Sequence, residues 1–336
     1  MKAPAMFAKA LKDNAVSCFL CAQHCKIGEG ETGFCGVRIN EGGTLYTLAY
    51  GETVARNVDP IEKKPLYHFL PDTLSYSIAT AGCNFHCGFC QNWQISRQAV
   101  ERGFIGDGRA FPPEAIVDAA EANACASIAY TYTEPTIFFE YARETALAAR
   151  PKGIKNVFVT NGYMTRQALE EAAGWLDAAN VDLKFWNDRT YRDTCSGRLK
   201  PVLETIRRMK DLGIWLEVTT LIIPGGNDSE EDLEGIAGFL AGVDPGIPWH
   251  ISRFHPDYQF DSTPPTPLAS LETAERIGRE AGLHFIYPGN VPDSRDTLCP
   301  NCGAKAIVRS WGGVQRNHLQ DGRCPSCGEV LAGVWS

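Results

Sequence analysis

The chain has 336 residues, 44% of them hydrophobic and 21% charged, and a formal net charge of −8. That balance belongs to an ordinary folded protein, of about two domains or of one large barrel with appendages. It argues against disorder, collagen-like repeats and coiled coil. The acidic surface does not favour nucleic acid or anionic lipid, and no apolar run reaches the roughly 18 residues of a membrane span.

The departure from the ordinary is the cysteine count, 13. Near the start, Lys9, Lys12 and Asp13 interrupt the apolar residues, so no secretory segment is expected and the location is read as cytoplasmic. In that reducing setting closely spaced cysteines bind metal more often than they pair. The first group, Cys18, Cys21, Cys25 and Cys35, has the spacing C-x2-C-x3-C-x9-C. It suits zinc, the preferred ion, or a second iron–sulfur cluster. Residues 1–70 are read as an N-terminal extension built around it.

From residue 71 to 291 short β-branched or aromatic runs alternate with helical patterns. Strands are expected at 74–79, 127–131, 156–160, 181–184, 215–221, 249–254 and 284–287. Helices are expected at 113–124, 135–149, 166–176, 201–212, 229–240 and 268–281. Pro112-Pro113-Glu114 and Ser229-Glu230-Glu231-Asp232 are helix-start signals. The alternation predicts an α/β fold with parallel strands, either a full or partial (β/α) barrel or a doubly wound sheet. In a barrel the chemistry gathers just after each strand.

The second group, Cys83, Cys87 and Cys90, directly follows the first of these strands as C-x3-C-x2-C. Three thiolates on one tight loop suit an iron–sulfur cluster with one iron left open, whereas structural zinc wants a fourth ligand. Arg253 and His255 follow a buried-looking strand and are expected to point to the barrel mouth. Cys195, after the fourth strand, is either a hydrogen-atom donor at that mouth or an ordinary buried cysteine. Lys63-Lys64-Pro65 is either a solvated loop or a lid. His250 reads as a core histidine.

The third group lies in a tail module, residues 292–336. Cys299-Pro300-Asn301-Cys302-Gly303 and Cys324-Pro325-Ser326-Cys327-Gly328 are two C-P-x-C-G knuckles, a zinc-ribbon pattern with zinc the expected ion.

The loop of Cys83, Cys87 and Cys90, with Phe89 before its last cysteine, resembles the signature of the radical S-adenosylmethionine (SAM) superfamily. The resemblance implies a partial (β/α)6 barrel. It also implies a [4Fe–4S] cluster on the three thiolates, SAM on the open iron, and reductive cleavage to a 5′-deoxyadenosyl radical that takes hydrogen from a substrate. It places Phe89 beside the adenine. Tyr132-Thr133-Glu134-Pro135 occupies the place of the GGE motif, without its glycines, which puts Glu134 on the SAM amino group. Thr160-Asn161-Gly162 and Asp182-Leu183-Lys184 resemble the DTNG and DLK motifs of pyruvate formate-lyase activating enzymes, with Val159 where the first has Asp. Asn161 and Lys184 are thereby expected at the cofactor, Lys184 toward the SAM carboxylate, with Arg253 assigned to SAM and His255 to substrate or cofactor.

Together with the N-terminal cysteines, residues 59–69 and Ser252-Arg253-Phe254-His255-Pro256, these motifs resemble the radical SAM enzyme of the AmmeMemoRadiSam system. That resemblance implies an electron donor such as flavodoxin or ferredoxin. It also suggests a protein or peptide substrate, among them Memo-like or AMMECR-like proteins. Three functions follow: radical chemistry on an unidentified substrate, activation of a glycyl radical enzyme, and a non-catalytic metal-binding interaction module.

Overall fold

Thr53–Pro60 (β1) runs antiparallel to Leu74–Thr80 (β2), with Asn57 opposite Ser77. This is seen in a computed structural model that describes residues 2–292, 295–310 and 313–336. From β2 onward each strand pairs parallel with the next: Ser127–Tyr130 (β3), Lys155–Thr160 (β4), Ala178–Asp182 (β5), Trp215–Ile222 (β6), Trp249–Arg253 (β7) and Ile286–Gly289 (β8). The order across this eight-stranded mixed sheet is the order in the chain. All four residues of β3 are buried, as a parallel strand covered on both faces requires.

Parallel neighbours need crossovers, and here they are helical. The longer helices are Pro113–Ala122 (α1), Phe139–Ala149 (α2), Arg166–Ala172 (α3), Asp188–Cys195 (α4), Leu199–Asp211 (α5), Glu230–Val243 (α6) and Leu268–Glu280 (α7). On α6 the buried residues Leu233, Ile236, Ala237 and Leu240 form one apolar stripe. Ser229 caps its start by accepting from Asp232 N at 3.2 Å.

The expected alternation is present, with shifts at some ends. The segment from Pro135 opens as a 3-10 turn, Pro135–Phe138, before α2. β5 ends at Asp182, so Leu183 and Lys184 lie beyond it. β1, within the stretch assigned to the extension, adds to the main sheet, and α4 was not expected. Its residues are mostly polar, and only Tyr191 and Cys195 anchor it inside.

The N-terminal extension folds into short antiparallel ribbons, including Val16–Cys18 and Arg38–Glu41. Its Val16, Leu20, Ile27, Val37 and Leu45 share one core with Ile78, Ile128 and Val181. Arg38, 2% exposed, forms a buried ion pair with Glu140 of α2.

The tail forms a three-stranded antiparallel sheet, Thr297–Leu298, Lys305–Ser310 and Gly313–Asn317. It docks where β6, β7 and β8 begin. His68 Nε2 meets Tyr287 Oη at 2.6 Å, His68 Nδ1 meets the Ala332 carbonyl at 2.7 Å, and Val334 N donates to the His68 carbonyl at 2.7 Å. Among the described residues no helix is long and apolar enough to cross a membrane.

Candidate active site and metal centres

A cleft of about 360 Å³ opens where the parallel strands end, the end of such a sheet where sites form. The loop after β2 brings Cys83, Cys87 and Cys90 to it. Glu134 comes from beyond β3, Asn161 from beyond β4, and Asp182 and Lys184 from the end of β5. Gly82 opens the loop at φ +98°, and a Cβ there would stand 2.7 Å from the Cys35 carbonyl oxygen, so only glycine fits. The loop is pinned from below. His86 N donates to the Cys195 carbonyl at 3.0 Å, and Gly88 N to that of Thr194 at 3.1 Å.

Glu134 is 1% exposed and accepts from Thr136 N, Thr136 Oγ1, Thr160 Oγ1 and Asn161 N. It therefore both caps the 3-10 turn and faces the cleft. Burial pushes its carboxyl up despite those bonds. Asn161 Nδ2 donates to Asn84 Oδ1 at 2.7 Å and stands 3.9 Å from Cys83 Sγ. Lys184 Nζ bonds Asp182 Oδ2 at 2.8 Å and lies 5.8 Å from the centre of the Phe89 ring. Burial opposes its charge, but Asp182 and the nearby thiols outweigh that and push the ammonium up. Phe89, 4% exposed, lines the same cleft, edge-on to Phe185 and Phe260.

Lys64 also lines the cleft, a position the sequence left undecided. It is 2% exposed, bonded to Asp59 Oδ2 at 2.7 Å, and its Nζ lies 4.7 Å from the centre of the Tyr132 ring. Asp59 in turn accepts from Tyr132 Oη at 2.6 Å and Ser77 Oγ at 3.1 Å. The signal available was the apolar Ile61 and Leu66 on either side, both now fully buried, which pull Lys64 inward while Lys63 stays exposed.

Three expected site residues are not brought to the cleft wall. Arg253 turns its Nε to the Thr266 carbonyl at 2.7 Å. His255 is exposed, and its Nε2 lies 3.0 Å from Nε2 of Gln91, a lining residue. Cys195 is fully buried under the loop, its thiol beside that of Cys87. That contact pulls the Cys87 thiol down, whereas burial pushes Cys83 and Cys90 up. Cys195 is therefore buried beneath the loop and is not among the residues that line the cleft. His250 is a core histidine, its Nε2 2.7 Å from Glu217 Oε2.

In the tail, the sulfurs of Cys299, Cys302, Cys324 and Cys327 all lie within 4.8 Å of one another. Cys299–Cys327 and Cys302–Cys324 are separated by 3.6 and 3.7 Å. A metal–sulfur bond of about 2.3 Å in a tetrahedron gives an edge of about 3.8 Å, so the four are spaced for one ion. The Glu329 backbone N–H pulls the Cys327 thiol down to about 7, which readies it as a thiolate. In the extension, Cys18, Cys21, Cys25 and Cys35 line one enclosed cavity.

The radical SAM superfamily model matches residues 77–240, the span that carries the cysteine loop and the strand ends around it. Uncharacterized protein MJ0808 of Methanocaldococcus jannaschii is 45% identical over 332 residues, 97% of this chain and 98% of that protein. The chain belongs to the radical SAM superfamily. The benzylsuccinate synthase activating enzyme of Thauera aromatica is 25% identical over 196 residues, 53% of this chain and 59% of that one. Among solved structures, a radical SAM methyltransferase from Sphaerobacter thermophilus superposes with a TM-score of 0.50 at 18% identity, covering 66% of this chain and 67% of that one. At that identity the likeness speaks to the fold.

Proposed function

We propose that the protein is a radical SAM enzyme whose [4Fe–4S] cluster sits on Cys83, Cys87 and Cys90. The observation that carries this reading is the convergence of three thiols from one loop with Glu134, Asn161 and Lys184 from three successive strand ends. The donor set fits. Among the described lining residues no further cysteine or histidine joins the three, so a four-iron cluster keeps one iron for a non-protein ligand. When bound, the cluster and SAM supply one-electron reductive cleavage to methionine and a 5′-deoxyadenosyl radical, which abstracts hydrogen.

The chain's own residues hold the cofactor. Glu134 Oε2 accepts one bond, from Asn161 N, and keeps a lone pair for an ammonium. Lys184 offers an ammonium to a carboxylate. Phe89 gives an apolar ring for an adenine. Lys64 and Tyr132 line the same cleft and are read as facing an incoming substrate.

The substrate is read as an unidentified molecule, with a protein or peptide preferred, and the chain as a member of the AmmeMemoRadiSam subgroup with Memo-like or AMMECR-like partners. A one-electron donor of the flavodoxin or ferredoxin kind and a cytoplasmic location belong to this reading. The tail quartet is read as structural zinc, since its closed tetrahedral spacing leaves no open position. Activation of a glycyl radical enzyme is the second reading, favoured by the activating-enzyme relatives. The test is anaerobic reconstitution, dithionite reduction and chromatography for 5′-deoxyadenosine. A fully loaded protein that never forms it overturns the enzyme reading.

A further inference from the structure

We infer that Cys18, Cys21, Cys25 and Cys35 hold a second iron–sulfur cluster, of the four-iron, four-cysteine type, against the underside of the central loop. The four thiols line one enclosed cavity whose remaining wall is largely apolar, with Leu20, Ile27 and Ile137. Their spacing differs from that of the tail. Among the described residues, the tail quartet is the one group of three or more metal-ligating side chains whose donor atoms all close to within 4.8 Å. The N-terminal four share a cavity yet stand wider than a single zinc ion draws its sulfurs. A cluster that gives each thiolate its own iron fits that wider ring.

Two buried donors supply the second observation. Asn84 Nδ2 and Arg38 Nε have no hydrogen-bond partner, although Asn84 is fully buried and Arg38 is 2% exposed. Both residues line this cavity. A buried donor left unpaired is costly and points to a missing acceptor. A four-thiolate zinc site brings no acceptor beyond its ligand sulfurs, whereas the bridging sulfides of a cluster accept such bonds. The thiols are already partly served, Cys25 by Phe34 N at 3.5 Å and Cys18 by Arg38 Nη1 at 3.6 Å.

The site abuts the central loop. Asn84 follows Cys83 directly, and its carbonyl accepts from Gln23 Nε2 at 2.9 Å. The Phe34 ring stacks on His86 at 3.8 Å.

The test uses the full chain with Cys83→Ala, Cys87→Ala and Cys90→Ala combined, reconstituted anaerobically with iron and sulfide. About four irons and about four acid-labile sulfides per chain are expected, with a paramagnetic signal on reduction that SAM does not alter. The complementary Cys21→Ser/Cys25→Ser variant should lose half of the wild-type iron and sulfide and keep the SAM-responsive signal. A triple variant that is folded by circular dichroism yet carries zinc and no sulfide overturns the inference, as does one holding the tail's metal alone. Because that variant lacks the central thiols, its outcome does not depend on whether the wild-type protein cleaves SAM.

Discussion

Asn161 Nδ2 donates to Asn84 Oδ1 at 2.7 Å, so the turn after β4 holds the residue that follows the first cysteine of the central loop. The bond orients a ligand without supplying one. Removing such a support typically costs 10–100-fold in metal affinity or activity. Asn161→Ala is expected to lower 5′-deoxyadenosine formation by at least roughly tenfold with the fold intact. A wild-type rate in that variant would show that the loop is held by other contacts.

Cys87→Ala should abolish SAM cleavage and leave the tail's metal in place, because the two sites lie at opposite ends of the sheet. Metal analysis together with product chromatography reads both outcomes on one sample.

Glu134 accepts from a neighbouring donor on each of its oxygens, so Glu134→Gln turns one acceptor into a donor facing Thr136 or Asn161. The expected cost is about 1–3 kcal/mol of stability together with a raised KM for SAM. An unchanged KM would assign Glu134 to capping alone.

His68 is fully buried between Tyr287 and Ala332, near Glu217, His250 and Arg309, and burial holds its imidazole at about 4 rather than 6.5. Between those values the unfolded chain binds a proton that the folded one does not. Stability therefore falls as pH drops through 6.5 toward 4, by about 3 kcal/mol over the window. The Glu217 carboxyl, held low by its histidine neighbours against burial, adds loss in the same direction only once pH falls below the ordinary value of 4.5. Denaturant midpoints measured at pH 7 and pH 4.5 check this, and equal midpoints would exclude it.

Cys302→Ser removes one corner of the tail's tetrahedron. One metal ion per chain should be lost, and the thermal midpoint should fall by roughly several degrees, since metal binding there is also folding energy. Protease cleavage should appear first in residues 295–336.

The central loop was legible because its ligands lie within eight consecutive residues, where spacing alone sets geometry. The alternation of strands and helices was equally legible, because buried parallel strands and amphipathic helices differ in apolar period. Lys64 was not, since a charged residue in a Lys-Lys-Pro run reads as solvated until Asp59 and Tyr132 are seen beside it. Nor was the turning away of Arg253, which depends on where the chain returns at Thr266.

By itself the sequence determined the three cysteine groups, the α/β class and the order of strands and helices, all properties of short stretches of chain. Only the tertiary structure decided which strand ends share a cleft, that Cys195 lies beneath its loop, and that the tail quartet draws within the span of one ion while the N-terminal four do not. Those outcomes depend on register and on packing between distant segments, which local spacing does not encode.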